Sequence, residues 1–169
     1  VYNMQLIFYE DASLTSINVA NWDTRQVTSL DLAFAKLDSL TTLPIENWKT
    51  SNLETIRSTF YNSSKLQALP IANWDVSQVV DMNSTFSGCR SLTTLPIAKW
   101  NTQNVRNLGA TFAGMTSVTA LPVDNWQTSQ VKTMSETFRQ VSKVTDLPIG
   151  RGIRVAQLIC HNCLLTIHN

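Results

Sequence analysis

The run with the most chemical potential is Cys160-His161-Asn162-Cys163, with His168 close behind. Two cysteines at this spacing can form a redox disulfide or supply half of a metal site. The pair is isolated, and a second pair of ligands exists only if His161 and His168 both turn inward. Packing at the end of the chain is therefore the reading adopted, with no metal and no cofactor assigned. Glu46 and Asp124 are the only carboxylates on the outward positions of the first five copies of a repeated segment described below. Three repeats separate them, and at about 5 Å per rung they stand about 15 Å apart, too far to act as the acid and base of glycoside hydrolysis. Cys89 shares its repeat position with Leu37, Ser63, Met115 and Val141, a mostly apolar set that reads as buried core. There is no glycine-rich phosphate loop, serine-centred elbow or HExxH motif. No residue is assigned a catalytic role, and the chain is not read as an enzyme.

Composition narrows the partners. The 169 residues carry 13 Lys plus Arg against 12 Asp plus Glu, a formal charge of +1. No bulk field draws in nucleic acid, and the basic residues form no continuous stripe. No apolar run is long enough to insert in a membrane, and neither a basic-then-apolar leader nor an initiating Met is present. The three cysteines are too few for a disulfide scaffold.

The elements that position these residues follow from a period of 26. All five tryptophans fall on it, at Trp22, Trp48, Trp74, Trp100 and Trp126. So do Phe8, Phe34, Phe60, Phe86, Phe112 and Phe138. Val79, Met82 and Phe86, spaced by three and then four, predict one stripe of a short helix in every repeat. Leu66, Leu69 and Ile71 show the LxxLxI spacing whose last pair alternates as a strand does. Neither element could bury its apolar side alone, so successive units must stack. The expected fold is an α/β solenoid, with short parallel strands on one face and short helical segments on the other. It covers residues 1–150, starting partway through a repeat, and residues 151–169 read as a terminal cap or divergent repeat.

Within the unit, Trp22, Trp48, Trp74, Trp100 and Trp126, with Phe34, Phe60, Phe86, Phe112 and Phe138, are expected to form a buried structural spine, each indole N–H satisfying a turn carbonyl. Pro44, Pro70, Pro96, Pro122 and Pro148 stand inside the strand. Each lacks an N–H, so the ladder should be about three residues wide. Outward strand positions supply a candidate concave binding face of Thr42, Pro44, Glu46, Pro70, Thr94, Pro96, Pro122 and Asp124, nearly neutral and built from small residues.

LxxLxI followed by NW or KW, a polar triplet and the VxxM/L/IxxxF stripe resembles the BspA-like leucine-rich-repeat family of bacterial surface proteins in its 26-residue form. The resemblance runs from Val1 to about Ile149 and implies a leucine-rich-repeat-like solenoid displayed at the cell surface or outside the cell. It implies noncatalytic adhesion to a host or neighbouring surface protein, or to a glycan. The alternative is a structural spacer or assembly module within a larger surface protein. Intact mass before and after reduction, with zinc analysis, checks the Cys160 and Cys163 assignment. Two free thiols and no zinc are the expected outcome.

Overall fold

A computed structural model describes residues 2–148 and 166–168. The chain winds as a stack of 26-residue coils, here numbered from residue 1: coil 1 spans 1–26, coil 2 27–52, coil 3 53–78, coil 4 79–104 and coil 5 105–130. The described part of coil 6 is 131–148. Single parallel bridges join equivalent residues of successive coils, from Asn3 to Ser29, Thr55, Asp81, Asn107 and Thr133.

The expected α/β solenoid is overturned. The described residues contain no α-helix, and their named strands are only β1 (Asp146–Pro148) and β2 (Thr166–His168), which pair in parallel. The segment read as helical is instead a run of overlapping β-turns. In coil 3, Thr59, Tyr61 and Ser63 donate their N–H groups to the carbonyls of Ile56, Ser58 and Phe60, three residues back. Two residues per coil take positive φ: Leu32 and Lys36 in coil 2, Ser58 and Asn62 in coil 3, Ser84 and Gly88 in coil 4. A left-handed residue at the third position of a four-residue turn is the type II signature. It also turns the next peptide over, so the chain cannot continue as a right-handed helix.

This geometry gives a second hydrogen-bond system running along the stack. The N–H groups of Leu30, Leu32, Phe34 and Lys36 donate to the carbonyls of Thr55, Arg57, Thr59 and Tyr61 in the next coil, at 2.7–3.2 Å. The same four bonds recur at every junction from coil 1 to coil 6. A left-handed non-glycine residue costs about 1–2 kcal/mol. Two of them per coil are matched by four inter-coil bonds at about 0.5–1.5 kcal/mol each, before any burial is counted. The turn run therefore does the cross-linking expected of the strand.

The LxxLxI segment fails as a strand for a reason centred on proline. The N–H groups of Ile45, Ile71, Ile97 and Val123 turn back across the proline to the carbonyls of Leu43, Leu69, Leu95 and Leu121, at 2.9–3.1 Å. A bond spanning two residues closes a γ-turn, and the φ fixed by the proline ring lies close to the inverse γ-turn value. Each coil thus spends that N–H on itself. Here coils are joined by single bonds such as Gln67 N–H to Thr41 O, 3.0 Å, and Thr119 N–H to Thr93 O, 3.2 Å. At Pro148 the pattern changes: β1 pairs Asp146 with Thr166, Leu147 with Ile167 and Pro148 with His168, out of the 26-residue register. The expected cap at 151–169 otherwise lies outside the described residues.

Inside the stack, Phe34, Phe60, Phe86 and Phe112 are fully buried, with successive ring centroids 5.8–6.0 Å apart. Crowding is tightest at Gly88 among the described glycines: a Cβ there, at φ +76°, would lie 2.0 Å from Asn62 Oδ1 and 3.2 Å from Asn62 Cα. At Gly114, φ +70°, the nearest atom would be 3.6 Å away, so only backbone strain opposes a side chain. Gly114→Ala is expected to lower stability by about 1 kcal/mol, and Gly88→Ala by about 2 kcal/mol or more because overlap adds to strain. Urea titration of the pair, with the Asn62→Gly/Gly88→Ala double variant, checks this. Measured against Asn62→Gly alone, the double variant should show no overlap and a loss like that of Gly114→Ala.

Candidate functional site

Repeated side chains are largely used up by the frame. Trp48, Trp74, Trp100 and Trp126 are buried. Their indole N–H groups donate to the carbonyls of Val19, Ile45, Ile71 and Ile97 in the preceding coil, at 3.0–3.3 Å. Neighbouring indoles stack nearly parallel, Trp48 and Trp74 at 6.4 Å and 3°. Each also tilts against a phenylalanine, as Trp74 does on Phe60 at 6.1 Å. Trp22 differs: it stacks on Trp48 and Phe8 yet is 39% exposed, beside a small apolar pocket lined by Met4, Ile7 and Asp23. Phe138 is buried and stacks on Phe112.

A column that sequence reading missed stands beside the phenylalanines. Thr59, Thr85, Thr111 and Thr137 are buried, and each hydroxyl is shared between a carbonyl of its own coil and one of the coil before. Thr111 Oγ1, for example, lies 2.7 Å from Leu108 O and 3.0 Å from Met82 O. The recurring Thr-Phe dipeptide was its visible signal. Ser63 and Cys89 act similarly, Ser63 Oγ donating to Phe34 O at 2.5 Å and the Cys89 thiol to Phe60 O at 3.0 Å. Burial pushes the Cys89 thiol far above the ordinary range, which removes the thiolate needed for nucleophilic work.

The predicted concave face does not assemble as a strand surface. Thr42, Glu46, Thr94, Pro96 and Asp124 are exposed, while Pro44, Pro70 and Pro122 are half-buried. All flank or form the proline turns. Glu46 joins a shallow groove of about 340 Å³ with Asn47, Lys49, Asn73 and Asp75. Asp124 lies outside that groove.

Nonrepeating chemistry gathers instead on the outer edge of the turn run, across coils 1–4. Lys36 pairs with the Glu10 carboxylate, and its ammonium stands 5.2 Å from the Tyr9 ring centroid. Hydrogen bonds from Lys36 first, then Tyr9, hold the Glu10 carboxyl below its ordinary range. Hydrogen bonds to Glu10 first, then to Tyr9, push the Lys36 pKa up. Beside them an open groove of about 340 Å³ is lined by Lys36, Asp38, Asn62, Ser64 and Arg90. Asp38, Ser64 and Arg90 occupy one position in three successive coils, and Ser64 Oγ donates to Asp38 Oδ1 at 3.3 Å. A carboxylate lies at one end, a guanidinium at the other, and an amide and hydroxyl between them. This arrangement can hold polar groups. Among the described residues no three His, Cys, Asp or Glu side chains gather as metal ligands.

The model of the family described as Mycoplasma protein of unknown function, DUF285, matches residues 1–93 and again residues 65–150. The chain belongs to this family. No curated protein and no solved structure matches it. The two overlapping DUF285 matches cover the same coils that carry the Trp and Phe columns and the nonrepeating edge.

For this DUF285 chain, site-resolved alkylation at pH 8 checks the inert reading of Cys89. Iodoacetamide should leave Cys89 unmodified in the folded protein and label it in step with urea unfolding. Labelling ahead of unfolding would contradict it.

Proposed function

We propose that this chain is a noncatalytic ligand-binding module of a surface protein, adhering to a protein partner through the Lys36–Arg90 edge. One observation carries the reading: charged and aromatic side chains that do not repeat gather on one edge of a frame that otherwise does. Position 9 of successive coils runs Tyr9, Ala35, Tyr61, Ser87, Ala113 and Arg139, and position 12 runs Ala12, Asp38, Ser64, Arg90, Thr116 and Ser142. Packing makes no demand for this variety at position 12, whose side chains are exposed or half-buried in every coil, while the buried phenylalanines of the turn run keep to one residue type. Tyrosine rings and a guanidinium that has no ion-pair partner among the described residues are groups that protein interfaces favour. The likeness of the repeat to BspA-like surface proteins supports placement at the cell surface.

The second reading, a structural spacer or assembly module, is favoured by the sameness of the four-bond junctions. A spacer needs only the frame, and its surface chemistry would be indifferent to charge. Surface-plasmon screening of the segment against extracellular-matrix proteins separates the two, using Lys36→Glu and Arg90→Glu variants. Saturable binding to at least one protein is expected, weakened about fivefold or more by each reversal, as loss of about 1 kcal/mol in a polar contact predicts. Absence of selective binding across a range of salt concentrations favours the spacer.

A further inference from the structure

A second groove shares no residue with that edge. It has a volume of about 340 Å³ and is lined by Tyr2, Gln26, Thr28, Asn52, Glu54 and Gln78. Position 26 of the coils, which runs along it, alternates strictly: Gln26, Asn52, Gln78, Asn104 and Gln130. All five residues are exposed, and the alternation changes what the amide does. Asn52 Nδ2 donates to Arg25 O and Asn104 Nδ2 to Ser77 O, both at 2.7 Å, so the two asparagines are tied to the preceding coil. The glutamine side chains, one methylene longer, make no hydrogen bond among the described residues. Folding does not require the alternation, because asparagine already serves this position in two coils. Its effect is to offer a free amide at every second coil.

We propose that this groove binds an extended, uncharged, β-linked polysaccharide lying along the stack. Coils follow one another at about 4.8 Å, the spacing of hydrogen-bonded chains, so free amides recur at about twice that distance. This is the length of a disaccharide in an extended β-linked chain, where alternate sugars are turned over and present the same edge once in every two. An amide gives both a donor and an acceptor to adjacent hydroxyls, and the Glu54 carboxylate accepts from two more. Tyr2, 72% exposed, offers a ring for the apolar face of a pyranose at the end of the groove. No cationic side chain lines the groove, which disfavours sulfated or uronic-acid polymers.

The test is isothermal titration of the chain with β-1,4-linked glucose and N-acetylglucosamine hexasaccharides, their disaccharides, α-linked maltohexaose and heparin fragments. One β-linked hexasaccharide should bind, more tightly than its disaccharide and more tightly than maltohexaose or heparin. The Gln26→Ala/Gln78→Asn variant removes the first amide and ties the second to the preceding coil, as the native asparagines are tied. It should keep the melting temperature and weaken hexasaccharide binding about tenfold or more, the loss of about 0.7 kcal/mol or more at each position. Lys36→Glu/Arg90→Glu should leave this binding unchanged, so failure of the protein-binding reading and failure of this one are separable. No saturable binding to either β-linked hexasaccharide overturns the proposal. Equal binding of maltohexaose, preference for heparin, or binding that survives this paired substitution with folding intact does so as well.

Discussion

The structure depends on one constraint: in each coil, four peptide groups of the turn run point their N–H bonds at the next coil. Residues such as Leu30, Leu32, Phe34 and Lys36 are donors upward, while the N–H groups of Ala33 and Ala35 between them close turns within the coil. That division of labour needs a left-handed residue twice per coil, and the chain accepts leucine, serine, alanine and charged residues there as well as glycine. Once peptides are fixed this way, the side chains on either side of them face the interior and stack at intervals of one coil. The phenylalanine column, the threonine hydroxyls behind it and the indoles beside it are consequences of the same register.

Much of the interior was legible in the sequence because burial leaves its mark at every repeat. The phenylalanine and tryptophan positions could be read as columns without knowing the backbone that carries them. Secondary structure could not. Val79, Met82 and Phe86 are spaced as on a helix, but successive four-residue turns return the chain to the interior at nearly the same interval. The distinguishing sign would have been left-handed residues, and Leu32 or Ser84 gives none, since neither is a residue that ordinarily signals positive φ. At Leu69-Pro70-Ile71 the proline and its missing donor are visible in the sequence. The closure of the following N–H back across the ring leaves no such sign in the residue types.

The candidate sites were less legible for a related reason. A surface face inferred from strand alternation presupposes the strand, so Thr42, Glu46 and Asp124 were grouped by a geometry the chain does not adopt. Asp38, Ser64 and Arg90 are adjacent only because coils stack in register. Reading the variable positions down each column, rather than along each repeat, would have brought them together. The 26-residue frame places no packing constraint on exposed residues that do not repeat, or on those, like Gln26 and Gln78, that repeat at a longer interval.

The aligned peptides also give the whole stack an electrical polarity. Each peptide carries a dipole of about 3.5 D, and four lines of them run in one direction through the coils. Their N–H ends point away from coil 1, where the carbonyls of Asn3, Gln5, Ile7 and Tyr9 receive no hydrogen bond among the described residues. The coil 1 end is therefore the negative pole, the opposite of the N-terminal end of an α-helix. Any group packed on that face meets carbonyls and a field that favours cations and N–H donors, just as the carbonyls of each later coil meet the N–H groups of the coil before. The stack is thus polar along its axis, in one direction at every junction described.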